Sequence, residues 1–198
     1  MDKKIGCVIL AAGESKRMGT QKLLLPTRDN VSMIRAITLT AIQSSSIRVF
    51  VIVNPDFPEV FYTLKDLDVE IVNNESARDG MSTSFLRGIA ALQMYGMDGG
   101  VFLLGDMPSV QTEWIDRVVE NYLSSQAKIV QACYHGVPSH PVLFDSSLFP
   151  YSAEATGDEG GRRLIRRFSS LRVLVEMDSP CPIDLDTKEE YEAYRMQK

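Results

Sequence analysis

Cysteine is scarce and scattered: Cys7, Cys133 and Cys181 form no C-x-x-C or other close pair. An odd count at that spacing argues against a disulfide framework or a cysteine metal site and suits a reduced, cytoplasmic chain. Long apolar runs are missing as well. No stretch approaches the roughly 20 residues that span a bilayer. The lysines ahead of the apolar segment 5–12 imitate a secretory leader, but that segment passes at once into charged, glycine-containing sequence and reads as a buried strand. Positive charge is not in excess, since the formal net charge is -5. An acidic chain offers no broad field for nucleic acid or an anionic membrane, so any anion it binds must be held by a local cluster.

What is present is an alternation of strand and helix patterns. The segments "IGCVILAA" (5–12), "IRVFVIVN" (47–54), "VEIVNN" (69–74) and "GVFLLGD" (100–106) are nearly continuous in apolar residues. That continuity predicts strands buried on both faces, as in a parallel sheet. Helical patterns fall between and after them, at 31–45, near 57–66, at 81–96 and at 110–125. In the first, Met33, Ile34, Ile37, Ala41 and Ile42 share one face. In the last, Thr112 is a candidate N-cap. The second half adds "AKIVQACYH", "HPVLF" and "LRVLVEM" as strands, with "EGGRRLIRRFSS" and a terminal "TKEEYEAYRMQK" as helices. The expected fold is a single-domain doubly wound α/β sheet, mostly parallel and Rossmann-like, with a mixed or antiparallel edge. Within that single domain, 1–198, the more regular half 1–110 is expected to carry the main ligand-binding strand ends and the less regular half 111–198 to complete the site.

Ligands of such sheets collect beyond the carboxyl ends of the strands, and several polar segments stand there. "LAAGESKRMGTQKLLLP" follows the first strand. Its Gly13 and Gly19 let the backbone turn and aim N–H groups inward, while Lys16, Arg17 and Lys22 supply positive charge, a combination suited to phosphate. Neither G-x-x-x-x-G-K-[ST] nor G-x-G-x-x-G occurs, which argues against a P-loop kinase and a dinucleotide oxidoreductase. Asp106 leaves the fourth strand in "LLGDMPSV". A hard carboxylate facing a cationic phosphate loop points to Mg²⁺. Asp184 and Asp186 alternate in "PIDLDTKEEY", so an extended chain turns both to one side, and either can complete that metal site. "RDGMSTSFLRGI" sets Gly80 and the hydroxyls of Ser82, Thr83 and Ser84 at a helix start. "GVPSHPVLF" holds His140, and "GDEGGRRLIRRF" places Gly160 and Gly161 before Arg162, Arg163, Arg166 and Arg167, a basic helix suited to an anionic substrate.

The string L-A-A-G-x-S-x-R-M-G followed by a lysine resembles the signature of nucleotidyltransferases that load molybdenum cofactor with a nucleotide, in particular the cytidylyltransferase branch. The likeness continues through the G-D-M-P, G-M-S-T-S, H-P-V-L-F and D-L-D-T segments along most of the chain. It implies transfer of CMP from CTP to a molybdopterin-type cofactor with release of pyrophosphate, aided by Mg²⁺. It also implies roles. Leu10, Ala11, Ala12, Gly13, Lys16, Arg17, Lys22, Gly80, Ser82 and Ser84 bind the nucleotide, and Arg17, Lys22 and Asp106 act in catalysis. His140, Gly160 and Gly161 face the acceptor, while Asp106 with Asp184 or Asp186 holds the metal. Docking to a molybdenum hydroxylase follows from the same likeness. A relative that uses GTP or a sugar phosphate, a non-catalytic cofactor carrier and a nucleotide sensor are the other readings these segments allow.

Overall fold

The computed structural model describes residues 3–15 and 17–196. Four parallel strands carry the first half: β1 (Ile5–Ala11), β2 (Arg48–Val53), β3 (Glu70–Asn73) and β4 (Gly99–Leu104). The second half adds β5 (Ile129–Tyr134), β6 (Val137–Asp145) and β7 (Arg172–Glu176), giving one seven-stranded sheet in the order β3-β2-β1-β4-β6-β5-β7. β6 runs antiparallel to both neighbours, β4 and β5, whereas the outermost β7 is parallel to β5. The helices are α1 (Met33–Ile42), α2 (Pro58–Leu64), α3 (Met81–Met94), α4 (Thr112–Ser124), α5 (Arg162–Arg167) and α6 (Lys188–Met196).

The alternation within each strand explains why the sheet is covered on both faces. Cys7 and Ile9 of β1, Val49 and Val51 of β2, and Val101 and Leu103 of β4 join a core with Ile34 and Ile37 of α1, Val60 of α2 and Trp114 and Val118 of α4. Val8, Phe50, Ile52 and Phe102 face the other way, towards Phe85, Ile89 and Leu92 of α3. There Phe85, Phe102 and Phe144 stack with ring centroids 4.8 to 5.6 Å apart. Gly88 lets α3 lie this close, because a Cβ at that position would sit 2.6 Å from Val8. On α1 the expected face is borne out: Met33, Ile34, Ile37 and Ala41 are buried, and Ile42 packs partly buried against the same core.

Two local expectations change. The N-cap of α4 is Gln111, and Thr112 lies inside the helix with its hydroxyl donating to the Thr40 carbonyl at 3.2 Å. The arginine-rich helix shortens to six residues, α5, because Gly160 takes φ +52° just ahead of the Gly161 N-cap and Phe168 closes it. Parallel pairing of β1 with β4 brings their carboxyl ends together: Leu10 faces Leu104, and the Gly105 N–H donates to the Leu10 carbonyl at 2.9 Å. The glycine loop and Asp106 therefore open onto the same edge of the sheet.

Candidate active site

Beyond these strand ends lies a cleft of about 580 Å³, lined from both halves of the chain. The loop after β1 forms one wall. Ser15 takes φ +54° and Gly19 φ +66°, so the chain doubles back, with the Met18 N–H on the Ser15 carbonyl at 3.0 Å. Ser15 and Gln21 staple the loop. The Ser15 hydroxyl donates to Gln21 Oε1 at 2.9 Å and accepts the Lys22 N–H at 3.2 Å, while Gln21 Nε2 donates to the Gly13 carbonyl. Gln21 also caps the tight turn Lys22–Leu24, which presents Lys22 to the cleft. Sequence reasoning assigned no role to these two staples. Their signal was present, as a small hydroxyl and an amide flanking the glycine, but only the turn geometry makes them partners.

Lys22 is the centre of the site. Its side chain is 10% exposed, and Nζ donates to Asp106 Oδ2 and Asp186 Oδ1, each at 2.5 Å. Arg17 reaches the other oxygen of Asp186 at 2.8 Å. Burial pulls the Lys22 ammonium down, but the charges and hydrogen bonds of Asp106 and Asp186 outweigh it and hold the group above its ordinary value. The hydrogen bond from Lys22, then the charges of Lys22 and Arg17, keep Asp186 ionised below the usual carboxylate range, against the opposing pull of burial. Lys22 and Asp186 thus stay charged at neutral pH. The Leu185 N–H donates to the Asp106 carbonyl at 3.1 Å, which ties the terminal segment to the exit of β4.

The remaining expected residues divide. Leu10, Ala11, Ala12, Gly13, Arg17, Gly80, Ser84 and Asp184 line the cleft together with Lys22, Asp106 and Asp186. Lys16 lies outside the described residues. Ser82 is buried and is not part of the lining. Ser84 and Thr83 both accept from Asn74 Nδ2 at 2.9 Å, so a buried asparagine after β3 sets the start of α3.

His140, Gly160 and Gly161 do not line the cleft. His140 is half-buried with Nδ1 3.0 Å from the Phe102 carbonyl of β4, and burial draws its imidazole below the usual value. Gly160 and Gly161 serve close packing instead. A Cβ on Gly161 would meet Phe144 at 2.9 Å, and one on Gly160 would meet Met81 at 3.3 Å. They let the loop press against α3 and deliver Asp158 and Arg162, which do line the cleft. Of the arginine series, Arg166 pairs with Glu159 at 2.7 Å and Arg167 pairs with Glu154. Arg162 is the one turned to the site. Arg78 lines the mouth, with Glu14 at 3.2 Å and Asp56 at 2.9 Å.

The donor set suits a divalent cation. Asp106 and Asp186 already converge on one positive centre, and both offer hard oxygen atoms. Among the described residues, no group of three His, Cys, Asp or Glu side chains forms a ready-made metal cage. Two carboxylates supplemented by phosphate oxygens is the ordinary arrangement for Mg²⁺. The described residues also contain no helix long and apolar enough to cross a membrane.

A family model described as a MobA-like NTP transferase domain matches residues 7–173. The purine catabolism protein PucB of Bacillus subtilis is 30% identical, over 95% of this chain and 94% of that protein. The molybdenum cofactor cytidylyltransferase of Escherichia coli is 23% identical, over 94% of this chain and 93% of the other. Among solved structures, Rv0371c of Mycobacterium tuberculosis superposes with a TM-score of 0.88 at 25% identity, covering 100% of both chains. A nucleotidyl transferase from Methanothermobacter has the same fold, with a TM-score of 0.83 at 22% identity over 98% of this chain and 97% of the other.

Proposed function

Because the chain belongs to the MobA-like NTP transferase family, we propose that it transfers CMP from CTP to the terminal phosphate of a molybdopterin-type cofactor and releases pyrophosphate. The observation that carries this reading is the buried Lys22 ammonium held between two carboxylates beside a glycine loop. The acceptor is already an anion, so no protein nucleophile is needed. An acceptor phosphate oxygen attacks the α-phosphorus, the bond to the bridging oxygen breaks, and pyrophosphate departs with the electron pair. The protein's work is alignment and charge compensation.

In this scheme Arg17 and the amides of the Gly13 loop meet the triphosphate, and Lys22 meets the α-phosphate, where charge accumulates. Asp106 and Asp186, with Asp184 beside them on the cleft wall, would hold Mg²⁺, which supplies charge neutralisation for the triphosphate when bound. Ala11, Ala12, Gly80 and Ser84 border the space for base and ribose, and Arg162 contributes positive charge for the anionic acceptor.

Preference for CTP over GTP rests on Ala12, which is buried and carries a methyl where the guanylyl branch has glycine. The likeness to a protein of purine catabolism favours a purine-oxidising molybdenum hydroxylase as the client on which the product is unloaded.

The test is pyrophosphate release with each of the four NTPs and Mg²⁺, with and without molybdopterin-type cofactor, in wild type and Asp106→Ala. The expected result is cofactor-dependent turnover with CTP that the variant loses. Tight CTP binding without turnover on that acceptor redirects the search to a sugar phosphate or to a carrier role. No binding of any nucleotide overturns the phosphate-loop reading.

A further inference from the structure

The terminal helix α6 contributes no buried residue to either core, yet its contacts converge on the site. At its start, Thr187 and Glu190 form a reciprocal cap. Glu190 Oε2 accepts the N–H of Asp186 at 2.9 Å and of Thr187 at 2.8 Å, and the Glu190 N–H donates to Thr187 Oγ1 at 3.2 Å. The backbone of Asp186, whose carboxylate grips Lys22 and Arg17, is thereby fixed by a side chain one helical turn away. Further along, polar bonds tie the helix to the segment that follows Lys22. The Tyr191 hydroxyl donates to the Pro26 carbonyl at 2.9 Å, Arg28 Nε donates to the Tyr194 carbonyl at 2.7 Å, and Arg195 donates to the Thr27 carbonyl. Arg28 also lies over the Tyr194 ring, 4.5 Å from its centroid.

These contacts close a ring. Lys22 and Asp186 meet at 2.5 Å, and a few residues onward in each chain direction Pro26 and Tyr191 meet again at 2.9 Å. The Asp186 carboxylate, tied on one side to the exit of β4 through the Leu185 N–H, is tied on the other to the segment that carries the ammonium it faces. We propose that Glu190 is a positioning residue for Asp186 and that α6 is a strap setting the distance between the metal-binding carboxylate and the Lys22 turn. The metal arm of the inference rests on the nucleotidyl-transfer reading of the cleft.

The full chain carrying Glu190→Ala, Glu190→Gln or Tyr191→Phe tests it by two readouts. In calorimetry of CTP binding over a Mg²⁺ series, Glu190→Ala raises the half-saturating Mg²⁺ concentration by about 10-fold or more, the usual effect of removing an outer-shell partner. CTP binding in EDTA stays unchanged, and Glu190→Gln, which can still accept both N–H groups, remains within about threefold of wild type. In amide hydrogen exchange without any ligand, Glu190→Ala and Tyr191→Phe lower protection of 22–28 together with that of 187–196. An unchanged Mg²⁺ requirement in folded Glu190→Ala overturns the positioning role. Protection of 22–28 that survives the loss of protection in α6 overturns the strap. If wild type binds no nucleotide, the reading of the cleft fails, and the exchange experiment alone decides the strap.

Discussion

Asp145 at the end of β6 shows how a buried charge outside the cleft sustains the fold that builds it. Its Oδ1 accepts from the Ser147 N–H at 3.0 Å and from Lys128 Nζ at 3.1 Å, and Oδ2 accepts from the buried Tyr122 hydroxyl of α4 at 2.7 Å. Burial alone would raise its pKa, but the bonds from Ser147, Tyr122 and Lys128 outweigh this and bring it from 3.8 to about 2. At about 1.4 kcal/mol per decade of proton affinity, the ionised carboxylate contributes about 2 kcal/mol to stability. Because the folded pKa lies below the unfolded one, that contribution is fully present above about pH 4 and is lost as pH falls through about 2. Asp145→Asn therefore lowers unfolding free energy by about 2 kcal/mol at pH 7 and leaves the two proteins nearly equal near pH 2. Urea denaturation of both at a series of pH values between 7 and 2 reads the difference directly, and the titration of all other carboxylates cancels. A loss below about 0.5 kcal/mol at pH 7, or a difference that does not shrink with acid, refutes the assignment of this stability to Asp145.

Three further outcomes follow from the cleft. Lys22→Met lowers the rate constant for pyrophosphate release by about 100- to 1,000-fold, the cost of one donor aimed at developing charge. A rise in KM at constant kcat would assign Lys22 to ground-state binding instead. Gly80→Ala costs at least about 1–3 kcal/mol of thermal stability, because φ is +105° and the new Cβ would sit 2.5 Å from the Gly157 carbonyl oxygen; an unchanged Tm contradicts that packing. Ala12→Gly shifts the ratio of kcat/KM for CTP and GTP towards GTP, and an unmoved ratio removes Ala12 from nucleotide selection.

The strand exits were legible because both signals are local. Continuous apolar runs declare buried parallel strands, and glycine, lysine or aspartate at their ends marks where ligand chemistry collects. Gly13, Lys22 and Asp106 could be named from the strand exits, and Leu10, Ala11 and Ala12 from the family resemblance; all of them line the cleft. Contacts between segments far apart in the chain were not legible. Asp184 and Asp186 are equivalent in sequence, and it is the bond from Leu185 to the Asp106 carbonyl, with the cap from Glu190, that sets Asp186 on Lys22.

The glycines before α5 make the same point. Their spacing says only that the chain can come close to something. Tertiary packing against Phe144, Phe85 and Met81 decides that the something is the core, and that Asp158 and Arg162 are the residues presented to the cleft. By itself, then, the sequence determined the α/β sheet and the chemistry available at its carboxyl edge, since short-range periodicity and backbone freedom govern both. Which carboxylate meets the buried ammonium, and which arginine faces the cleft, was decided by the tertiary structure, because those choices depend on contacts across 164 residues of chain that no local pattern encodes.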